Sequence, residues 1–464
     1  MALRFYNTLS REKEDFSPIN RDEVKMYNCG PTVYGIQHIG NLSMFVFTDV
    51  LRRTLKYSGF KVKQVINITD FGHLSGDNQG DADIGEDKMS KGLRQAGMEL
   101  TLSNMRVLAE KYAAVWKNDL KILGIDINSI TFPFASDYIK EQIEMIKKLE
   151  EKGYAYMGRE GVYFNTMQFP DYGKLGNIDL EGLRSGARVE HTDEKRNRTD
   201  FLLWKSDSRV GWESPWGRGF PGWHIECSAM IYEILGEQID IHTGGIEHIP
   251  THHNNEIAQS ESVTGKKPFS RFWLHRAHLQ VNNGKIAKST GNTVYLSEII
   301  KRGFNPPSFR YLLLMSHYRT STNFTWEALE GAETALKRLY NLYIELDKEV
   351  GKVDKKYQKR FKDYISDDLD TPRALTVLWD LIKDENISKV DKKATILDFD
   401  KVLGLGFADL KEEKIPEKIK RLVEEREEAR HNKNFKKSDE LRQKVNSLGY
   451  EVKDTKQGQK TNKI

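Results

Sequence analysis

Two thiols, one imidazole and one carboxylate could form a zinc site gathered from three separate segments of this chain. The 464 residues include only two cysteines, Cys29 and Cys227. A third segment places His252 and Glu256 one helical turn apart, so both side chains would lie on one helix face. Such a donor set suits tetrahedral zinc, and a zinc ion can bind and identify a thiol substrate. The cysteines taken alone favour a simpler interpretation, two reduced core residues beside an incidental His/Glu pair.

Two further segments carry residue types suited to nucleotide phosphates. In residues 38–41, His-Ile-Gly-Asn, a neutral imidazole can hydrogen-bond phosphate oxygens and the glycine lets a nucleotide approach the backbone. The helix predicted to follow favours negative charge at its N-terminus. In residues 285–289, Lys-Ile-Ala-Lys-Ser, two lysines could clamp a triphosphate whose charge grows during reaction. Each segment taken alone fits an ordinary surface loop better.

Alternating strand and helix patterns must position these side chains. Strand 24–29, helix 41–57 and strand 61–68 predict a parallel, doubly wound α/β sheet that binds ligands at the carboxyl ends of its strands. The pattern resumes with strand 238–242, a helix from about residue 251 and strand 272–281.

Five parts follow from these patterns. The first two are 1–124, the first half of a Rossmann-like catalytic domain, and 125–222, a connective insertion. Next come 223–306, the second half of that domain, and 307–410, an all-α helical bundle. The last part, 411–464, is a small C-terminal module with a flexible polar end at 453–464.

The composition indicates a soluble protein with a basic C-terminus. Hydrophobic residues make up 38% and charged residues 30%, and no segment predicts a signal peptide or a membrane span. With two cysteines, a reducing cytoplasm is expected. Residues 411–464 hold 16 Lys/Arg against 11 Asp/Glu, whereas the rest of the chain holds 56 against 57. The basic module suggests a polyanion partner, and the alternative is a solvated, salt-bridged helix face.

The combination of motifs resembles the class I aminoacyl-tRNA synthetases, and within them the cysteinyl-tRNA synthetase family. The 38–41 segment is HIGH-like, and the 285–289 segment is KMSKS-like. Cys-Gly-Pro-Thr-Val-Tyr at 29–34 precedes the first, and Pro-Gly-Trp-His-Ile-Glu-Cys-Ser-Ala-Met at 221–230 lies between them. The resemblance covers about residues 4 to 460 and is weakest in 72–100 and 180–200.

The resemblance implies roles for individual residues in amino-acid recognition. The zinc ligands would be Cys29, Cys227, His252 and Glu256, with His253 as the neighbouring alternative to His252. The remaining substrate residues surround this centre: His242 beside the thiol, Trp223 closing over it, and Gly30 and Thr69 at the amino group.

It also implies ATP and tRNA contacts. Catalysis would use His38, Lys285 and Lys288, and ATP would further contact Ile39, Gly40, Asn41 and Glu247. The anticodon would be read by Phe435, Asp439 and Asp454. Among these contact residues, three depart from the family's usual ones: Asn41 replaces a histidine, Glu247 an aspartate and Phe435 a tryptophan.

The implied reaction is ATP-dependent ligation of L-cysteine to tRNA(Cys) through a cysteinyl adenylate, with one zinc ion per chain and Mg²⁺ beside the ATP. A cytoplasmic monomer that binds L-cysteine, ATP and tRNA(Cys) and no membrane is expected. Two alternatives stay open: a related ligase that joins cysteine to a sugar amine, and a non-catalytic, zinc-stabilised RNA-binding protein. The basic tail disfavours the first, and residues 38 and 285–288 disfavour the second.

Overall fold

A computed structural model describes residues 2–72, 87–178, 195–286, 292–410, 416–455 and 458–463. The chain divides into two compact units, Met1–Ala408 and Asp409–Ile464. Among the described residues, no helix combines the length and apolar character needed to cross a membrane. The finer five-part division of the sequence stays a prediction.

The first unit alternates strands and helices along most of its length. Its strands are β1 (Arg4–Asn7), β2 (Glu12–Asp15), β3 (Val24–Asn28), β4 (Val62–Ile66), β5 (Ile130–Thr131), β6 (Ala155–Met157), β7 (Gly161–Phe164), β8 (Phe201–Ser206), β9 (Gly219–Pro221), β10 (Ile239–Gly245), β11 (Ser270–Arg276), β12 (Leu279–Val281), β13 (Gly284–Lys285) and β14 (Thr322–Phe324). Its helices are α1 (Ile39–Tyr57), α2 (Lys88–Gln95), α3 (Leu102–Ile122), α4 (Ile139–Glu151), α5 (Trp223–Leu235), α6 (His252–Thr264), α7 (Leu296–Lys301), α8 (Pro306–Leu314), α9 (Trp326–Ile344), α10 (Lys355–Ser366), α11 (Thr371–Lys383) and α12 (Lys389–Leu403).

A five-stranded parallel sheet organises this unit, as the sequence predicts. Its strand order is β11-β10-β3-β4-β5, and every neighbouring pair is parallel. The chain builds outward from β3 in one direction and from β10 in the other, so the order reverses between these two strands. Such a reversal opens a crevice at the carboxyl ends of the strands, where α/β proteins bind their ligands. Both strands are buried almost throughout, as expected for a sheet covered on both faces.

Two boundaries differ from the sequence prediction for physical reasons. Helix α1 begins at Ile39 rather than Asn41, because the His38 side chain caps it by accepting from the Asn41 amide. The predicted strand 272–281 is two strands, because the chain leaves the parallel sheet after β11. There the Ala277 amide donates to the Tyr318 carbonyl (3.0 Å), and β12 then pairs with β13 and β14.

The region predicted as an insertion carries its own sheet. Strands β6, β7, β8 and β9 pair antiparallel in that order. Apolar residues of β7 and β8 pack in one cluster with residues of β3 and α5, so this sheet shares a core with the parallel sheet.

The helices after residue 307 confirm the predicted helical character and add α12, which the sequence patterns did not reveal. An ion pair joins this region to α1, because the Arg310 guanidinium of α8 donates to the Asp49 carboxylate of α1 (2.7 Å) and both side chains are fully buried.

The second unit contains α13 (Glu417–His431), α14 (Phe435–Ser447), β15 (Tyr450–Thr455) and β16 (Gly458–Lys463). The two helices confirm the sequence prediction, but the predicted flexible end is wrong, because β15 and β16 form an antiparallel hairpin. Val452 explains the difference: it is fully buried against Leu441 and Val445, which ties the hairpin to α14.

Candidate active site and metal centre

Cys29 lies immediately after β3, at the edge of the crevice where the strand order reverses. Its amide donates to the Thr243 carbonyl of β10 (3.2 Å), and the residue is only 6% exposed. Gly30 follows because no side chain fits there: a Cβ would lie 1.6 Å from the backbone oxygen of Asn67. The two strand ends therefore approach closely, and this approach fixes the direction of the Cys29 side chain.

Two helices bring the other predicted metal ligands to the same place. Cys227 lies in the first turns of α5, and His252 and Glu256 lie one turn apart at the start of α6. The His252 Nε2 and Glu256 Oε1 atoms are 2.9 Å apart. One ligand atom from each of Cys29, Cys227, His252 and Glu256 lies within 4.8 Å of every other, and all four residues are buried. The predicted set is thus brought together.

A second cluster overlaps the first. It shares Cys29 and Glu256 but contains His242 and His253 in place of Cys227 and His252. The Cys29 Sγ lies 3.3 Å from His253 Nε2, and the His242 Nε2 lies 2.8 Å from Glu256 Oε2. Two thiols make the first set the better match to zinc, because thiolate sulfur is the softer donor.

The ionisable groups of the first cluster shift one another's pKa values. Burial alone would raise the pKa of the Cys227 thiol, but hydrogen bonds with Cys29 and His252 lower it to about 6. Burial disfavours the His252 imidazolium, yet the Glu256 carboxylate raises the pKa of His252 to about 10. Despite its burial, Glu256 has a pKa of about 2 because His242 and His252 face it. The cluster thus favours a thiolate and a carboxylate, and a divalent cation could replace the imidazolium proton.

Neighbouring side chains orient these ligands. The Nδ1 atom of His252 lies 2.8 Å from Nδ1 of His224, which leaves Nε2 directed towards Glu256. On the other side, His253 Nδ1 lies 2.7 Å from His275 Nε2. Such contacts hold an imidazole in one orientation and one tautomer. Sequence reasoning missed His224 and His275 as supporting residues, because their contacts join segments far apart in the chain.

The predicted substrate residues surround the cluster. Trp223 packs its ring on the His252 ring, with centroids 4.1 Å apart. His242, on β10, is fully buried and stacks on Trp273 with centroids 4.5 Å apart. The predicted positions of Trp223 and His242 therefore border the metal-ligand cluster.

Thr69 and Gly30 belong to one hydrogen-bonded group. The Asn67 side chain accepts from the Gly30 amide (2.7 Å) and donates to the Thr69 hydroxyl (3.2 Å). That hydroxyl donates in turn to Glu226 (2.8 Å). Sequence reasoning missed Glu226, although its position three residues after Trp223 and next to Cys227 was an available signal.

The two segments predicted to bind phosphate meet at the N-terminus of α1. The Ile39 amide donates to the Val294 carbonyl (2.9 Å), and a Cβ at Gly40 would lie 2.8 Å from Ile286 Cδ1 and 2.9 Å from His38 Nδ1. Lys285 ends β13, whereas Lys288 lies outside the described residues. Glu247 follows β10 and is exposed, and its Oε2 atom lies 3.5 Å from His278 Nδ1.

In the second unit, all three predicted anticodon residues are exposed to solvent. Phe435 is 61% exposed at the start of α14, and Asp439 is exposed on the same helix. The exposed Asp454 also accepts two hydrogen bonds from the buried Arg426 (2.8 and 3.1 Å) and forms an ion pair with Arg430 (3.1 Å).

Comparisons with known proteins identify the family. Residues 15–334 match the model for tRNA synthetases class I (C) catalytic domain, and residues 412–460 match the cysteinyl-tRNA ligase anticodon binding domain. A cysteine–tRNA ligase of Burkholderia lata is 43% identical over 468 residues, covering 99% of this chain and 97% of that protein. The chain belongs to the cysteine–tRNA ligase family. A cysteine–tRNA ligase of Treponema denticola is 41% identical, and the alignment covers 98% of this chain and 98% of that protein.

Membership in this family makes the chain an enzyme that ligates cysteine to tRNA, with cysteine, ATP and tRNA as substrates. Among solved structures, a Mycobacterium tuberculosis methionyl-tRNA synthetase bound by methionyl-adenylate matches with a TM-score of 0.55 at 13% identity, covering 83% of this chain and 90% of that one. That similarity supports the class I fold and confirms the predicted Rossmann-like architecture.

Proposed function

We propose that this enzyme selects cysteine with a zinc ion held by Cys29, Cys227, His252 and Glu256, and joins it to tRNA(Cys) through a cysteinyl adenylate. The observation that carries the proposal is the buried cluster of four ligand atoms within 4.8 Å of one another. Bound there, zinc would ionise the substrate thiol and bind its sulfur.

The residues present fit such an ion. Two thiols, an imidazole and a carboxylate are a tetrahedral zinc donor set, and the His224 contact holds His252 in a ligating orientation. A serine hydroxyl ionises far less readily than a thiol, so this centre would reject serine. An apolar pocket separates close analogues by only ~10–200-fold, and a metal–sulfur contact therefore supplies selectivity that packing cannot.

In the first step, the cysteine carboxylate attacks the α-phosphorus of ATP and pyrophosphate leaves. His38, Lys285 and Lys288 would stabilise the phosphate charge with Mg²⁺, and Gly40 would let ATP approach the backbone between Ile39 and Asn41. Glu247 would contact the ribose. In the second step, a hydroxyl of the terminal tRNA ribose attacks the adenylate carbonyl and AMP leaves. No covalent bond to the enzyme forms.

Recognition of cysteine and of tRNA would use the remaining residues. Gly30 and Thr69 would bind the amino group, His242 would lie beside the thiol, and Trp223 would close over it. Phe435, Asp439 and Asp454 would contact anticodon bases, with Phe435 stacking on one of them. We further propose that the enzyme acts as a cytoplasmic monomer.

Metal analysis combined with cysteine-dependent ATP–pyrophosphate exchange tests the metal site. Cys29→Ser and Cys227→Ser should each lose most of the zinc and of the exchange activity, while tRNA binding persists. His252→Gln should show the same losses. The matched control is His431→Gln, at an exposed histidine of the second unit, which should change neither the zinc content nor the exchange activity. Full zinc content in both cysteine variants, or ready exchange with serine, would contradict the proposal.

A further inference from the structure

Glu226 is a buried carboxylate without an assigned role, and it is hydrogen-bonded to Thr69, one of the two residues proposed to bind the substrate amino group. It is 0% exposed on α5, and its Oε2 accepts from the Thr69 hydroxyl at 2.8 Å. Its Oε1 atom is buried and has no hydrogen-bond partner among the described residues. A buried carboxylate oxygen without a donor is costly, so such an atom points to a missing partner.

The hydrogen bonds around Thr69 determine which kind of partner fits. A hydroxyl offers one proton and two acceptor positions. The Thr69 proton goes to Glu226, and Asn67 Nδ2 fills one acceptor position. With Glu226 ionised, Thr69 Oγ1 and Glu226 Oε1 therefore present acceptors only. An ammonium group offers three donors and a positive charge, and it satisfies both acceptors.

The position of Glu226 agrees with this ligand chemistry. Trp223, Glu226 and Cys227 lie on one face of α5, because residues three and four positions apart share a helix face. Glu226 thus lies next to a proposed metal ligand. In cysteine the thiol and the amino group are carried by adjacent carbons, so a group that binds the amine must lie close to one that binds the sulfur.

We propose that Glu226 determines specificity for α-amino thiols by binding the ammonium group of cysteine through Oε1, with Thr69 Oγ1 as the second acceptor. This inference rests on the proposed function, which places the substrate thiol at the metal-ligand cluster. Glu226 is the additional group that distinguishes cysteine from a thiol acid without an amine. Glu226 also fixes the direction of the Thr69 hydroxyl, so one side chain both binds and positions.

Equilibrium binding of two ligands to the full zinc-loaded chain tests this role. L-cysteine and 3-mercaptopropionate share the thiol and the carboxylate, and only cysteine carries the amine. Because a hydrogen bond between charged groups is at stake, the wild type should bind cysteine about 10- to 100-fold more tightly than the analogue. Calorimetry measures both dissociation constants without requiring catalysis.

Glu226→Gln should bring the ratio of the two dissociation constants close to one, because it should weaken the binding of cysteine and leave that of 3-mercaptopropionate unchanged. The glutamine oxygen would accept from Thr69, and its amide group would then face the ammonium with donors. Glu226→Asp keeps the charge and should restore part of the ratio. Glu261→Gln is the matched control, because Glu261 is also buried but both of its oxygens have protein partners, Phe269 N and Lys174 Nζ, so the ratio should not change.

Two results would overturn the inference: an unchanged ratio in Glu226→Gln, with or without equal weakening of both ligands, or a wild type that does not distinguish them. Equal weakening would indicate a purely structural role. Zinc dependence of 3-mercaptopropionate binding to the wild type reports separately on the thiol site. If that dependence is missing, the metal proposal fails, while the ratio of the two ligands still decides the role of Glu226.

Discussion

Gly30 shows how one residue without a side chain shapes the site. It joins the proposed ligand Cys29 to the turn after β3, and its amide donates to Asn67 (2.7 Å). A methyl group there would meet a backbone oxygen at 1.6 Å, which no rotation of a side chain can relieve. The ends of β3 and β4 would have to separate, and Cys29 would move with them.

Gly30→Ala should therefore lower the free energy of unfolding by about 3 kcal/mol and reduce cysteine-dependent pyrophosphate exchange. Gly331→Ala is the matched control, because Gly331 lies within α9 with no atom within 4 Å of an added Cβ. Alanine there should stabilise the chain by about 0.5–1 kcal/mol and leave exchange unchanged. Urea unfolding measures both effects, and equal stability of the two variants would contradict the argument.

At the residue scale, the sequence predicts ligand types better than it predicts their partners. Cys29, Cys227, His252 and Glu256 follow from residue type, helical spacing and the family resemblance, and the structure brings them together. The hydrogen bond of His224 with His252 and that of Glu226 with Thr69 join distant segments. No local pattern encodes such contacts, because they arise only when β4, α5 and α6 pack together.

At the scale of elements, a buried ion pair holds α1 against the helices that follow the catalytic sheet. Burial alone would raise the pKa of the Asp49 carboxyl, but Arg310, Arg53 and Arg52 lower it to about 2. The Arg310 guanidinium also donates to the carbonyls of Leu403 (2.7 Å) and Leu123 (3.2 Å), so one side chain joins three segments.

This pair predicts a loss of stability in acid. The pKa of Asp49 in the folded state is below its unfolded value of about 3.9, so its contribution is fully present above pH ~4 and disappears as the pH falls towards 2. The contribution is about 2 kcal/mol. Asp49→Asn should lack this acid-dependent part of the free energy of unfolding. At pH 7 the variant should be less stable by about 3–5 kcal/mol, because Arg310 stays buried without its carboxylate partner.

Urea unfolding at pH 7, 4 and 2.5 measures this prediction. The control is Asp363→Asn, which removes the carboxylate of an exposed pair with Lys359 within α10 and should cost less than about 0.5 kcal/mol. Parallel pH profiles of the wild type and Asp49→Asn would show that Asp49 does not carry the acid sensitivity.

Substitutions at the two acidic positions proposed for anticodon contact should have different effects, because the local structure around the two residues differs. Both are exposed, but Asp454 also ties β15 to α13 through Arg426, whereas Asp439 lies on the surface of α14. Asp454→Asn should lower the stability of the second unit by about 1–2 kcal/mol and reduce tRNA charging. Asp439→Asn should reduce charging without changing thermal unfolding. Calorimetry and charging assays distinguish the two, and identical behaviour would contradict separate roles.

At the scale of the whole molecule, the sequence predicts the order of the parts better than their edges. Alternation of buried strands with amphipathic helices yields the parallel sheet and the carboxyl edge that carries Cys29. The C-terminal hairpin was missed because lysine-rich strands show little apolar alternation. One buried side chain, Val452, anchors it, and a single apolar residue is too weak a signal in a polar segment.

The division into two units predicts that the two reaction steps can be separated by truncation. A chain ending at residue 410 keeps the metal-ligand cluster, the 38–41 and 285–289 segments and the parallel sheet, and it removes a segment with 16 basic and 11 acidic residues. It should form cysteinyl adenylate at nearly the full rate and lose most tRNA charging.

The KM for tRNA of the full chain should rise with salt more steeply than that of the truncated chain, because fewer phosphate contacts remain after truncation. Pyrophosphate exchange and charging at several salt concentrations measure both steps. Undiminished charging would mean that residues 411–464 do not read tRNA, and loss of both steps would mean that the first unit depends on them to fold.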